Sequence, residues 1–384
     1  MTTTTKIRLK SLAAAAALAV LFAACGSDDA PADAAPATPD SPDIAVTEED
    51  DAPAATTSTA APEPEEQTPT SEPAESNLDI ASFEQFPLPD YAAAALDDDY
   101  SSYLVEVEPG VHVHVLEVGS GQPVYLQHGA PTSGLLYRKV AALLPRDQFR
   151  LIMPTMVGLG FSTQVDADHH TLDNHVRWIN DVLTQLELES VIYVGHDWGG
   201  PVGLGALERS PELLDGAVLL NTALGAPTGP VELNPQLQAI LAPLPPDAER
   251  TLSVALFEQL PGAQNDPESL SADVLDLYRR PIAESDNPIG PLSVFRMAAT
   301  GPEHPTAEVL RVIDEFTAQL DVPAEIVWGR NDPVLGQRLP SVMAAFPDAP
   351  VTETEAGHFL QEEADSPEAI AAAIERVHAQ VLGE

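Results

Sequence analysis

Val191-Ile-Tyr-Val-Gly195-His196-Asp197-Trp198-Gly199-Gly200 is the stretch on which the reading of this chain turns. Val191–Val194 is short, apolar and rich in β-branched residues, which suits a strand buried on both faces. A glycine closes it, a functional residue follows two places on, and two more glycines come directly after. That spacing describes a nucleophile elbow. A tight, strained turn exposes one side chain between a strand and a helix, and the small residues let the two elements pass closely. The residue at the exposed place is Asp197, where serine is more usual.

Three further segments fit around the elbow. His128-Gly129-Ala130-Pro131 follows the apolar run Val124–Gln127. The residue after His-Gly and the residue after the nucleophile are the expected oxyanion-hole donors, which makes them Ala130 and Trp198. Pro131 has no N–H and fixes the loop, and His128 is read as shaping the turn. Val327-Trp328-Gly329-Arg330-Asn331-Asp332 puts an acid just past a late strand, and Ala356-Gly357-His358-Phe359 puts a histidine past the last one. Nucleophile Asp197, acid Asp332 and base His358 then occur in the required chain order. An acid after the preceding strand could serve instead, but Asn221-Thr222-Ala223 offers none. His169, His170, His175, His304 and His378 lack this context and are expected on solvated faces. The histidines show no ligand spacing, so neither a metal nor another cofactor is implied.

The rest of the chain supplies a frame. Tyr103–Glu108 and Val111–Val118 read as an antiparallel pair joined at Pro109-Gly110. Val124–Gln127, Leu151–Met153, Val191–Val194, Ala217–Leu220, Ile326–Trp328 and Val351–Thr354 read as buried strands of a mostly parallel sheet. Tyr137–Leu144, His175–Leu186 and Pro201–Ser210 read as helices between them. Strand–helix repetition implies right-handed crossovers and helices on both faces of the sheet. The pattern breaks between residues 223 and 303, which are Pro-rich and helix-like without a convincing strand. Apolar runs there, such as Leu252–Leu260, predict a packed helical cap over the carboxyl ends of the strands.

An aspartate nucleophile dictates the chemistry. Carboxylate attack on sp³ carbon displaces a leaving group and leaves an alkyl ester on the enzyme. His358, oriented by Asp332, would then activate water to hydrolyse that ester. Alkyl halides and epoxides are the substrates that fit.

With these residues in view, the chain resembles the haloalkane dehalogenase and epoxide hydrolase branch of the α/β-hydrolases, over about residues 83–380. Segments similar to the dehalogenases are His128-Gly-Ala-Pro-Thr-Ser133, Thr171-Leu-Asp-Asn-His-Val176, Gly195-His-Asp-Trp-Gly-Gly200, Asp332-Pro-Val-Leu-Gly336 and Gly357-His-Phe-Leu-Gln-Glu362. The resemblance implies an α/β-hydrolase fold with an eight-stranded sheet, residues 83–222 and 304–384 as core and 223–303 as cap. It also implies Asp197, Asp332 and His358 as triad and the Trp198 indole N–H as a halide donor. The second halide donor of the dehalogenases, an Asn after His-Gly or a Trp in the cap, is missing. Ala130 holds the first place, and the three tryptophans are Trp178, Trp198 and Trp328. Thr155 stands where the family usually has Asp. Epoxide hydrolases usually use two cap tyrosines, and residues 223–303 contain only Tyr278. Dehalogenation is the leading reading, epoxide hydrolysis the alternative, and a non-catalytic small-ligand binding protein a remote third.

Composition bounds the setting. Seventeen basic against sixty acidic residues give a net charge of −43, which excludes a nucleic-acid binder that must neutralise phosphates. Residues 1–24 have the charged start (Lys6, Arg8, Lys10) and the apolar run (Leu12–Ala24) of a secretion signal, too short for a membrane span. The single cysteine, Cys25, follows Leu21-Phe22-Ala23-Ala24 as in a bacterial lipobox. Residues 25–82 are an acidic Pro/Ala-rich tether that cannot bury enough surface to order itself. The expectation is a lipid-anchored, extracytoplasmic domain that meets small apolar substrates and water. Replacing Cys25 by Ala should move the protein from the membrane fraction to the soluble one; recovery of the variant in membranes would contradict the anchor.

Overall fold

The computed structural model describes residues 80–383, apart from 98, 232–237, 239 and 240. The expected signal segment, Cys25 and the tether up to residue 79 lie outside the described residues.

A nine-stranded sheet carries the fold, in the order β1-β2-β3-β5-β4-β6-β7-β8-β9. The strands are β1 (Glu84–Gln85), β2 (Ser101–Glu108), β3 (Val111–Gly119), β4 (Gln122–Gln127), β5 (Phe149–Pro154), β6 (Val191–Asp197), β7 (Leu214–Thr222), β8 (Ala324–Gly329) and β9 (Val351–Thr354). Strands β2 and β3 form the expected hairpin around Gly110, whose φ of 81° suits glycine. From β5 to β9 the sheet is parallel. One strand beyond the expected eight is present. β1 is two exposed polar residues paired with Tyr103 and Leu104, too short to leave a period in the sequence.

The helices are α1 (Asp90–Ala93), α2 (Arg138–Ala141), α3 (Leu172–Gln185), α4 (Gly199–Glu208), α5 (Pro246–Ala255), α6 (Ala272–Ala283), α7 (Gly290–Phe295), α8 (Pro305–Thr317), α9 (Leu339–Ala345) and α10 (Ser366–Val381). Successive strand residues point to opposite faces, so each central strand feeds two cores. Ile192 and Val194 join Val140, Ile370 and Ile374 on one side. Val191 and Tyr193 join Trp178, Leu204 and Ile313 on the other. Among the described residues of 223–303 there are helices and no strand. Phe257, Leu260, Leu277, Ile282 and Leu292 from this inserted segment are buried in the same cluster as Leu126, Val194 and Leu220. The helix expected at Tyr137–Leu144 is instead a 3₁₀ turn over Gly134–Tyr137 running into the short α2.

Register positions the chemistry. β4 lies between β5 and β6, and Gln127 pairs with Gly195, so the chain after β4 and the chain after β6 emerge side by side. Asp197 pairs with Thr222 at the end of β7, and Gly329 pairs with Thr354 at the ends of β8 and β9. The segments carrying Ala130, Asp197, Asp332 and His358 therefore all leave the sheet at the carboxyl ends of its parallel strands.

Candidate active site

Asp197 ends β6 with φ at 51°, a left-handed conformation uncommon for a residue with a side chain. The turn is crowded on the backbone side: a Cβ at Gly199 would collide with the Gln127 carbonyl oxygen, and one at Gly129 would strike the Asp197 side chain. Glycine at both places lets the two loops touch. Within that contact the Ala130 N–H donates to Asp197 Oδ1 at 2.8 Å, and the Trp198 backbone N–H also donates to the carboxylate. Burial pushes the Asp197 carboxyl up from its ordinary range, while the charge of His358 and these two amides pull it back down. Thr222 fixes the main chain beneath by donating from Oγ1 to the Asp197 carbonyl at 2.7 Å.

His358 Nε2 lies 3.7 Å from Asp197 Oδ2, beyond hydrogen-bond range but within reach of a shared water. On its other side, His358 Nδ1 and Asp332 Oδ2 are 3.0 Å apart. Because Oδ2 accepts, the proton sits on Nδ1 and leaves Nε2 facing Asp197. Burial opposes the imidazolium, but Asp332 and then Asp197 outweigh it and raise the His358 pKa above its usual 6.5. For Asp332, burial favours the neutral acid, yet His358, Asn221 and the Val334 amide together hold its carboxyl below the ordinary range.

Several residues hold this arrangement that sequence reasoning passed over. Asn221, at the alternative acid place, donates from Nδ2 to Asp332 Oδ2 at 2.7 Å and to the Gly329 carbonyl at 3.1 Å, and accepts from the Gly329 N–H at 2.7 Å. It ties the end of β7 to the acid. His196 donates from Nε2 to the His358 carbonyl at 2.9 Å, and burial drives its own pKa down to about 3, so it does this as a neutral ring. The inserted segment grips the same loop: the His358 N–H donates to Ala263 O at 2.8 Å and the Phe359 N–H to Gln264 Oε1 at 2.8 Å. Glu363 accepts from the Gly357 and Asp266 amides. No local motif announces these contacts, because all but the Gly357–Glu363 pair join residues distant in the chain.

Other expectations meet the structure variously. His128 donates from Nδ1 to its neighbour's carbonyl and accepts the Met156 N–H at Nε2, so it braces the turn. Thr155 Oγ1 accepts the Gly134 N–H. Ala130 is buried and Trp198 half-buried beside Asp197. The other two indoles are engaged elsewhere, Trp178 Nε1 with Glu108 and Trp328 Nε1 with the Gly336 carbonyl. Tyr278 is buried in a charged knot. Its hydroxyl donates to Glu362 Oε1 at 2.5 Å and accepts from Arg138, while Lys139 also contacts Glu362.

With this geometry in place, similarity to known proteins becomes informative. A family model described as alpha/beta hydrolase fold matches residues 122–365. The chain belongs to the α/β-hydrolase family. Haloalkane dehalogenase 2 of Mycobacterium tuberculosis is 29% identical over 269 residues, 68% of this chain and 90% of that one. A cis-3-alkyl-4-alkyloxetan-2-one decarboxylase of Shewanella oneidensis is also 29% identical, over 272 residues, 66% of this chain and 82% of that one. Among solved structures, the haloalkane dehalogenase DatA of Agrobacterium tumefaciens C58 superposes with a TM-score of 0.63 at 23% identity, covering 74% of this chain and 99% of that one. This α/β-hydrolase is therefore similar to haloalkane dehalogenases, at an identity that leaves the exact reaction to the site.

One expectation is overturned. His170 and His175 are buried, 7% and 1% exposed, with ring nitrogens 3.2 Å apart. The reason lies in α3: Leu172, His175, Val176, Ile179, Val182 and Leu183 form its inward stripe, and His175 falls on it. His169 is exposed, and His304 and His378 are half-buried.

The electrostatic arrangement can be checked without any substrate. In an Asp332→Asn variant the main influence raising His358 is gone and burial weighs more heavily, so its pKa should fall. Histidine-resolved ¹⁵N NMR titration reads this directly. An unchanged titration would mean that Asp332 does not govern His358.

Proposed function

We propose that this hydrolase is haloalkane dehalogenase-like and converts a haloalkane and water to an alcohol and a halide through an alkyl ester on Asp197. The observation that carries the reading is the carboxylate at the elbow, fixed by the Ala130 N–H on Oδ1 with His358 Nε2 standing beside Oδ2. A serine hydroxyl there would need His358 to remove its proton. An ionised carboxylate attacks directly and leaves the imidazole free for the second step.

In that mechanism, Asp197 Oδ2 attacks the halogen-bearing carbon, and the carbon–oxygen bond forms as the carbon–halogen bond breaks. The Trp198 indole N–H serves the departing halide. Water then adds to the Asp197 carboxyl carbon as His358 Nε2 takes its proton, with Asp332 stabilising the imidazolium. The Ala130 and Trp198 amides stabilise the charge that gathers on Oδ1. Collapse expels the alkoxide, which recovers the proton from His358 as the alcohol leaves, and the Asp197 carboxyl releases the water's second proton to solvent and returns to the carboxylate. Esterification also helps the base. It removes the Asp197 charge, one of the influences raising the His358 pKa, so the ring is more readily neutral at the step that needs a neutral imidazole.

The epoxide reading needs an acid for the opening oxirane oxygen. Tyr278, the one tyrosine of residues 223–303, is held by Glu362 and Arg138, and burial followed by Glu362 pushes its hydroxyl well above 10. That argues against it as the donor. Lipid attachment at Cys25 would place the enzyme at an extracytoplasmic membrane face, where apolar substrates concentrate.

A panel of 1-haloalkanes, epoxides and cis-dialkyl oxetanones offered to the full chain separates the readings by product. Halide release is expected, abolished in Asp197→Ala. Because Trp198 is the one indole placed to hold the halide, bromides should turn over faster than chlorides, since the poorer leaving group depends more on a second donor. His358→Gln should halt at the ester, which mass spectrometry locates on the Asp197 peptide. Diol or alkene without halide would overturn the dehalogenase assignment. No product at all would favour a binding protein.

A further inference from the structure

His358 and Phe359 lie past the end of β9, beyond the sheet ladder, and their four backbone groups are paired from elsewhere. The His358 N–H donates to Ala263 O at 2.8 Å, and the His358 carbonyl accepts from His196 Nε2 at 2.9 Å. Both groups of Phe359 meet one side chain. The Phe359 N–H donates to Gln264 Oε1 at 2.8 Å, and Gln264 Nε2 donates back to the Phe359 carbonyl at 3.1 Å. That carbonyl also accepts the Glu362 N–H, whereas the Phe359 N–H has Gln264 as its partner. Gln264 Nε2 reaches Ser269 Oγ as well, at 3.1 Å, and the approach is close: a Cβ at Gly357 would strike Ala263 O, Gln264 Cα and Asn265 N.

We propose that Gln264, from the inserted segment, is a positioning residue that sets His358 for hydrolysis of the Asp197 ester. The role rests on the covalent reading given above. Asp197 itself is held by Ala130, Trp198 and Thr222, so its attack on carbon does not draw on this amide. The second step does. His358 Nε2 stands 3.7 Å from Asp197 Oδ2, a gap that the attacking water must share, and rates fall steeply when a reacting group is misplaced by about 1 Å. An amide that accepts at one end and donates at the other matches a residue's own N–H and C=O. Asparagine alone shares that pairing, one methylene shorter. Without the amide, the N–H of Phe359, a residue 2% exposed, is buried without a partner, and the loop must shift to satisfy it. Phe359 adjoins His358, so the shift is passed to the base.

The test is a single turnover of 1-bromobutane by excess full chain, quenched over time and followed by mass spectrometry of the Asp197 peptide. Gln264→Met keeps the length of the side chain and removes both bonds. Its ester should form at the native rate, which also shows that the variant is folded, and should decay about tenfold to a hundredfold more slowly. Gln264→Glu keeps an acceptor for the Phe359 N–H and loses the donor when ionised. It should also slow decay and spare formation, and it serves if the methionine variant does not fold. Equal slowing of both steps would reduce Gln264 to a structural contact, and native decay in both variants would remove the role; either result overturns the proposal. Capture of no ester by His358→Gln under the same conditions would refute the covalent reading, and this role with it.

Discussion

A carboxylate buried at the end of a strand resists ionisation, and holding Asp197 ionised is the constraint on which the rest of this site depends. Desolvation raises its pKa, and among the described residues no lysine or arginine pairs with it. The opposing forces are the His358 charge and the amides of Ala130 and Trp198. Those amides can reach the carboxylate only because β4 and β6 are neighbours with Gln127 opposite Gly195, and because glycines at 129 and 199 let the two loops meet. Sheet register, loop composition and the chemistry proposed for Asp197 are thus one problem with one solution.

The same logic extends to His358, the proposed base. His358 keeps its proton on Nδ1 because Asp332 accepts it, and Asp332 stays ionised because Asn221 and two following amides donate to it. The loop carrying His358 is held from two further sides, by His196 from the elbow itself and by Ala263 and Gln264 from the inserted segment. Movement of that segment would therefore be felt at His358. The Arg138–Glu362–Tyr278 knot adds a second fastening between insert and core, in a buried setting where breaking one partner leaves a charge uncompensated.

Much of this was legible in the sequence, and the reasons are specific. Strands β4 to β8 announce themselves by continuous apolar runs, and the elbow by glycines around a functional residue. The order Asp197, Asp332, His358 follows from where strands end. What escaped was of two kinds. Asn221 shows in the sequence only that no acid stands at its place, because its partnership with Asp332 spans 111 positions and leaves no local signature. His175 is polar in type, which points to the surface, yet it lies on the readable stripe of Leu172, Val176 and Ile179, and helical position rather than residue type decides burial. The edge strand β1 has neither signal, since two exposed residues carry no period.

Each part of the account assumes that water attacks the enzyme's own carboxyl carbon rather than the substrate. A single turnover of a 1-bromoalkane in ¹⁸O-water, with enzyme in excess, distinguishes these directly. The account predicts that the alcohol carries unlabelled oxygen donated by Asp197 and that the peptide containing Asp197 gains one ¹⁸O. Labelled alcohol with an unlabelled Asp197 peptide would mean direct displacement by water, and would contradict the covalent role of the aspartate in the elbow.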